Sequence, residues 1–410
     1  MMTQNLKTVV VAGTFGVRGR EFAFIKRLLE ERGVRPYMIH TGLHKPLFKP
    51  DVDNGELARL AGDNLQQLLD SGDQHRAVAA IYAGLRKVVL RLQAVGELDG
   101  MLSLGGSSDT AAITAVMRLL PIGVPKLMVT TVASGTVKDY VETSDILLMP
   151  SIVNADGLDR ISRQVYVNAV NAIAGMVLHR PAPEKSTRPT VAISVFSLTS
   201  DCVSEAKRYL EERGYDVLEF SCTGAGGRTM EKFINEGAIA GVLDLTTTEW
   251  CDELLGGMLG AGPTRLDAAI ACRVPQVVSI GATDMVNFGP VSSVPMRYAR
   301  RNLYRHNANV TLMRTTAVEC ARVGDVLADK WNNTHSPMVV LLPAGGVSAL
   351  DAPGQPFDDP DARNAIIGAL QEHIYNPKVK IEVMPLHIND PRFAHHAAQL
   401  LIDLMEKKKS

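Results

Sequence analysis

Short runs that are apolar at every position recur along the chain, and between them the hydrophobic residues fall at helical spacing. One such run, Thr-Val-Val-Val-Ala-Gly, starts at Thr8, and a second, Thr-Val-Ala-Ile-Ser-Val, starts at Thr190. Each leads into a segment that closes on the same five residues, Leu-Glu-Glu-Arg-Gly, at Leu29–Gly33 and again at Leu210–Gly214. Strand-like runs follow both, Arg35–His40 and Asp216–Ser221. The parallel then continues in order. Gly100–Leu104 matches Gly241–Leu245, Val124–Val129 matches Val274–Ser279, and Asp145–Ser151 matches Asn309–Thr315. A repeat of this length marks two copies of one structural unit. Strands apolar on both faces need helices on both faces, which is the mark of a parallel sheet. The pattern therefore predicts an α/β chain of two tandem Rossmann-like domains with mainly parallel sheets and a cleft between them.

The boundary falls in Pro181–Pro189, where three prolines and several charged or hydroxyl residues read as a semi-rigid linker. The first domain is expected over residues 1–182 and the second over 188–410, with the division near Lys185. The first carries an insertion, roughly Thr41–His75. The second carries a loop from Asp284 to Asn307, extra strands at Met338–Leu342 and Val379–Leu386, and a last helix from Pro391 to Lys407.

Composition narrows the function classes. The 410 residues carry 43 basic and 44 acidic side chains, a formal charge of −1, with 46% hydrophobic and 5% aromatic residues. That balance excludes a disordered polymer and a nucleic-acid binder driven by bulk positive charge. Five cysteines (Cys202, Cys222, Cys251, Cys272, Cys320) include no Cys-x-x-Cys pair, so no zinc ribbon or redox motif is encoded locally. Scattered thiols suit a reducing compartment, and no apolar stretch approaches about 18 residues. The cytoplasm is the expected location, with a small molecule and neither nucleic acid nor membrane as partner.

In parallel sheets, ligands sit beyond the carboxyl ends of the strands, so the residues just after each strand carry the candidate chemistry. The first is Gly13–Glu21, a Gly-rich turn that opens a helix, with Gly13 and Thr14 facing a bound anion. It lacks the lysine of a Walker loop and the spacing of a dinucleotide fingerprint. Leu104–Thr110 (Leu-Gly-Gly-Ser-Ser-Asp-Thr) is richer: Gly105, Gly106, Ser107 and Ser108 put amides and hydroxyls at a helix start, more than one cap needs. Thr130–Gly135 follows the next strand and supplies Thr131, Ala133, Ser134 and Gly135 as an opposite wall. Together these loops outline a nucleotide-sized crevice.

The second domain repeats the theme. Gly226, Gly227 and Arg228 form a Gly-rich helix start, Thr246, Thr247 and Thr248 precede Glu249, and Asp284 and Asn287 follow a later strand. Met296–Asn307 packs four arginines and a histidine together, making Arg305 and His306 candidates for an anion clamp. His387 is an acid/base or metal candidate, whereas Asn389 and Asp390, just before Pro391, suit helix capping. Thr316, three residues before Glu319, reads as a capping box. Glu249, His306 and His387 are the candidate catalytic groups. Gly226, Gly227, Arg228, Thr246–Thr248, Asp284, Asn287 and Arg305 are the candidate substrate or anion contacts. The spacing is specific for no metal.

Taken together, the loops at Gly13, Leu104, Val124–Gly135, Leu243–Glu249, Asp284–Gly289 and His387–Pro391 resemble an incompletely characterised family. That family contains the N-terminal, ATP-binding part of the tomato tobamovirus-resistance protein. The resemblance spans essentially the whole chain and implies two Rossmann-like domains, ATP as the ligand, with or without Mg2+, and a homodimer or higher homo-oligomer. The first loop departs from family versions that read Thr-Leu-Asp-Thr-Lys-Gly. Phe15, Gly16, Val17 and Arg18 stand there, so no carboxylate role is carried over to it. Three readings stay open: an ATP-dependent, kinase- or ligase-like enzyme acting on a small oxygenated acid in the cleft, a nucleotide-independent hydrolase or C–C bond-cleaving enzyme, and a non-catalytic ATP-binding regulator.

Overall fold

The computed structural model describes residues 6–135, 137–153, 157–181 and 186–409. Lys185, where the sequence puts the boundary, lies outside the described residues. The chain forms two compact units, Met1–Pro183 and Glu184–Ser410.

The first unit runs β1 (Thr8–Gly13), α1 (Gly19–Glu31), β2 (Arg35–His40), α2 (Asn54–Ala61), α3 (Leu65–Asp70), α4 (Gln74–Ala94), β3 (Gly100–Gly105), α5 (Ser107–Met117), β4 (Lys126–Thr130), α6 (Lys138–Val141), β5 (Leu147–Pro150) and α7 (Arg160–Leu178). Its five strands are parallel and ordered β2-β1-β3-β4-β5. The uninterrupted apolar character of β1 is explained by what covers it. Val9 and Val11 pack in a core with α1 and α7, while Val10 and Ala12 pack in another with α4 and α5. Alternate residues of one strand thus feed two cores. The insertion after β2 forms α2 and α3, each started by a side-chain cap, Asp53 and Asn64. Helix α2 lies tightly on α4 at Gly84, where a Cβ would fall 2.0 Å from the Leu57 carbonyl oxygen.

The second unit runs β6 (Thr190–Val195), α8 (Ser200–Glu211), β7 (Asp216–Ser221), α9 (Ala225–Asn235), β8 (Gly241–Thr246), α10 (Glu249–Leu255), α11 (Asp267–Ala271), β9 (Gln276–Gly281), β10 (Met285–Phe288), β11 (Leu303–Arg305), β12 (Thr311–Arg314), α12 (Ala317–Asn332), β13 (Met338–Pro343), α13 (Pro360–His373), β14 (Val379–Met384) and α14 (Pro391–Lys409). Six parallel strands are ordered β14-β13-β9-β8-β6-β7. Helices α8 and α14 cover one face, and α9 to α13 the other.

The repeat needs one correction. Asp145–Ser151 contains β5, which lies beside β4 in the main sheet, whereas its sequence match, Asn309–Thr315, contains β12. Strand β12 leaves the main sheet and pairs antiparallel with β10 and β11; the strand beside β9 is β13. The stretch read as a loop, Asp284–Asn307, supplies β10 and β11, and so gives β12 its partners. A short apolar run specifies a strand but not its neighbour.

Candidate functional site

Both main sheets are doubly wound, and the order in which strands are added reverses between β1 and β3 in the first and between β6 and β8 in the second. Ligands of such sheets bind at that point. In the first unit the loops after β1 and β3 meet there. Arg18 Nη1 donates to Asp109 Oδ2 at 2.8 Å and to Thr14 Oγ1 at 3.2 Å, tying the two loops together. Glycines allow this. A Cβ on Gly105 would stand 2.3 Å from Asp109 Cβ, and one on Gly13 would stand 2.0 Å from the Phe22 ring. These two glycines therefore serve packing. His40 braces the neighbouring β2 loop: its Nδ1 accepts the Phe15 amide at 3.1 Å and its Nε2 donates to the His44 carbonyl at 2.8 Å. Burial lowers the pKa of His40, which suits this neutral tautomer. Tyr82 of α4 lies on the same side, its hydroxyl pushed up to about 12 by burial and by the charge of Asp109.

Helix α5, like α1, opens without a side-chain cap. Its N-cap is Gly106, with no side-chain cap, and its first helical bond runs from Thr110 N to Gly106 O. The amides of Ser107, Ser108 and Asp109 precede that bond and have no carbonyl in the helix to meet. Ser107 and Ser108 are exposed, so neither does the capping their residue type favours. Thr110 and Thr130 share a buried hydroxyl–hydroxyl bond of 2.6 Å, joining the start of α5 to the end of β4. Thr131, Ala133, Ser134 and Gly135 follow as an open turn, with Thr131, Ser134 and Gly135 exposed. Gly13, Thr14, Gly105, Gly106, Ser107, Ser108 and the Thr131–Gly135 turn thus all lie at the carboxyl ends of the adjacent strands β1, β3 and β4.

In the second unit the Gly-rich helix start after β7, that of α9, is filled from within. Glu249, buried at the start of α10, accepts the Gly224 amide at 2.7 Å and the Gly227 amide at 3.2 Å. The anion at the N-terminus of α9 is therefore the protein's own carboxylate. A Cβ on Gly227 would lie 2.2 Å from Glu249 Oε2, and one on Gly226 would lie 1.8 Å from the Ser221 carbonyl oxygen. Arg265 neutralises the group: Nε donates to Glu249 at 2.7 Å, and Nη1 and Nη2 grip Asp244 at 2.6 and 2.8 Å. Glu231 adds a third carboxylate and accepts the Leu266 and Ala268 amides. Burial raises the pKa of Glu249, and Arg265 pulls it back. Arg228 reaches the Gly260 carbonyl. The three threonines are buried: Thr246 bonds Thr199, and Thr247 donates to the Ser279 carbonyl.

Asp284 and Asn287 part company. Asn287 donates from its amide and from Nδ2 to Asp252, closing β10 onto α10. Asp284 accepts the Ser348 hydroxyl at 2.7 Å, while Asp351 beside it takes Arg363 at 2.8 Å and Arg314 at 3.4 Å. Burial lifts both Asp252 and Asp284 to about 7, with Asp351 adding to the rise at Asp284. His387 spends both ring nitrogens on backbone, Nε2 donating to the Ser348 carbonyl at 2.9 Å and Nδ1 accepting the Asn389 amide at 3.0 Å. Arg305 and His306 are exposed where β11 turns toward β12. Arg305 is level with Thr311 and Phe288, whereas Asp284 adjoins the Met285–Arg314 end of the same sheet. At about 3.3 Å per residue these ends lie roughly 10 Å apart. The arginine cluster does not converge: Arg301 pairs with Glu319, and Arg297 reaches the Leu255 carbonyl. Among the described residues, no group of three or more His, Cys, Asp or Glu is arranged to hold a metal ion.

Two family models cover nearly the whole chain. The N-terminal domain of an uncharacterised protein family, UPF0261, matches residues 7–182, and the C-terminal domain of the same family matches 188–405. The chain belongs to UPF0261. A UPF0261 protein of Clostridium tetani is 42% identical over 402 residues, 98% of this chain and 100% of that one. The ToMV resistance protein Tm-1(GCR237) of Solanum lycopersicum is 41% identical over 318 residues, 76% of this chain and 42% of the tomato protein. The family expected from the loop motifs is thus the one found. Among solved structures, an esterase domain from Rhodothermus marinus aligns at 12% identity with a TM-score of 0.29, over 54% of this chain and 88% of that one, too distant to carry an argument.

Sequence reading of this UPF0261 chain passed over Arg18, Asp109, Arg265 and Asp244 as functional or organising groups. Asp244 had a signal: a carboxylate inside the apolar strand Gly-Val-Leu-Asp-Leu-Thr needs a buried cation. Arg265 lies 21 residues away and Asp109 lies 91 from Arg18, so neither pair has a local motif.

Proposed function

We propose that this UPF0261 protein binds ATP, or a comparable phosphorylated small molecule, above the first sheet, with the phosphates on the N-terminus of α5. The observation that carries the reading is the uncapped start of that helix. The amides of Ser107, Ser108 and Asp109 are offered together with two exposed hydroxyls, at the point where strand order reverses between β1 and β3. Amides at a helix start, aligned with its dipole, favour a phosphate. Arg18 sits against Asp109 and offsets the one carboxylate in the first turn of α5. The Thr131–Gly135 turn forms the facing wall. Mg2+, where it takes part, would be carried on the phosphates of the nucleotide.

The polar groups of the second unit are engaged internally. Its Gly-rich helix start is already occupied by Glu249, and the nitrogens of His387 are committed to backbone. A hydrolytic centre built on Glu249 and His387 therefore has no free base. The test is calorimetric titration of ATP into the full chain and into Ser107→Ala/Ser108→Ala. Losing two hydroxyl bonds to a charged ligand should weaken binding by about tenfold or more. Equal affinity in the two proteins would remove the α5 cradle.

A further inference from the structure

A second cationic feature lies on the helical layer of the first unit. Phe24 of α1 is half-buried, and two guanidiniums lie over its ring, Arg27 Cζ at 5.4 Å and Arg163 Cζ at 5.3 Å from the centroid. Arg20 stands four residues before Phe24, so Arg20, Phe24 and Arg27 fall on one face of α1. With Ala23 and Leu158 they surround a cavity of about 350 Å³. Among the described residues the neighbouring carboxylates are otherwise engaged: Glu21, next to Arg20, accepts the Gly157 amide beside Leu158. Arg27 Nε lies 3.5 Å from Glu31, an exposed pair of small worth. Asp159, next to Leu158, is turned to the Ile161 and Ser162 amides at the start of α7. Stacking on Phe24 accounts for two of the guanidiniums and leaves the approach of Arg20 unexplained. In a chain of net charge −1, this is a local excess of cations.

Stacking also sets the geometry. A guanidinium over an aromatic face keeps N–H groups free of the ring for paired bonds to phosphate or carboxylate oxygens. Arg163 spends its Nε on the Leu158 carbonyl at 3.0 Å, which leaves its two Nη groups to form the fork. A carboxylate would use one such fork; a chain of linked phosphates engages all three. We propose that the Arg20–Arg27–Arg163 pocket is a binding site for a small polyanion of the di- or triphosphate class, separate from the loops at α5. The inference does not rest on the α5 assignment.

The probe is inorganic pyrophosphate, titrated by calorimetry into the full chain at low and then moderate salt. Binding is expected in the unmodified protein and equally in Ser107→Ala/Ser108→Ala. In Arg27→Gln/Arg163→Gln the affinity should fall by about tenfold or more. Added salt should weaken binding, and Arg163→Lys, which keeps charge but loses the fork, should fall between. All three arginines are exposed, so an unchanged melting temperature will certify each variant as folded. Equal titrations in the unmodified protein and the double arginine variant, or no binding in the former, would overturn the proposal. So would loss of binding to anionic phospholipid vesicles in the arginine variant with pyrophosphate binding intact, which would assign the patch to a membrane surface.

Discussion

Arg265 shows how one side chain organises a neighbourhood. It is buried and faces Asp244, Glu249 and Glu231, so three carboxylates on β8, α10 and α9 depend on one cation. Removing the cation leaves buried charge uncompensated, which typically costs about 3–5 kcal/mol. Arg265→Met should therefore lower the stability of the second unit by at least that amount, read from the denaturant midpoint. Glu249→Gln keeps an acceptor for the Gly224 amide and should cost less. The reverse ranking would mean that Arg265 is not the hub. In the first unit Arg18 and Asp109 make a smaller, largely buried link that ties two loops together.

At the scale of elements, two carboxyls with raised pKa values control how β10 is seated. Asp252 on α10 holds the Asn287 amide of β10, and Asp284, between β9 and β10, holds the Ser348 hydroxyl. Both stand near 7 in the folded chain, above the roughly 3.9 of an exposed aspartate. The sign follows. The folded state binds these protons more tightly, so charging the two groups is a cost at pH above about 7. That cost is relieved as pH falls through 7 toward 4, by an amount on the order of 2–4 kcal/mol per group. The second unit should therefore gain stability between pH 8 and pH 6, and Asp284→Asn should flatten that rise. A melting profile that falls over this interval in the unmodified protein, or is unchanged in slope by Asp284→Asn, would contradict the assignment. Elsewhere the element ends were legible. Thr316 and Glu319 exchange both bonds of a capping box at α12, and Asp390 accepts the Arg392 amide at the start of α14.

For the whole molecule, each unit has a complete sheet with helices on both faces and its own apolar cores. Domains built this way fold alone. Residues 7–181 and 186–409, expressed separately, should each unfold in a single cooperative transition. An aggregated or structureless fragment would show that one unit needs the other. The duplication made this organisation visible in advance, since two copies of one strand–helix order must each bury their own sheet. No helix among the described residues is long and apolar enough to cross a membrane.

Periodicity determined the α/β class and nearly every strand, because an apolar run must be covered wherever it lies, and the repeated Leu-Glu-Glu-Arg-Gly segments determined the doubling. Composition excluded bulk electrostatic binding, because 43 and 44 opposite charges leave almost no net field. Tertiary structure decided what each polar loop does. Gly226–Arg228 and Gly105–Ser108 look alike as Gly-rich helix starts, yet one receives Glu249 from the next strand's loop while the other is left uncapped. Strands β5 and β12 look alike as apolar runs, yet one joins a parallel sheet and the other an antiparallel one. In each pair the deciding partner lies far away in sequence, and only the fold brings it within hydrogen-bonding distance.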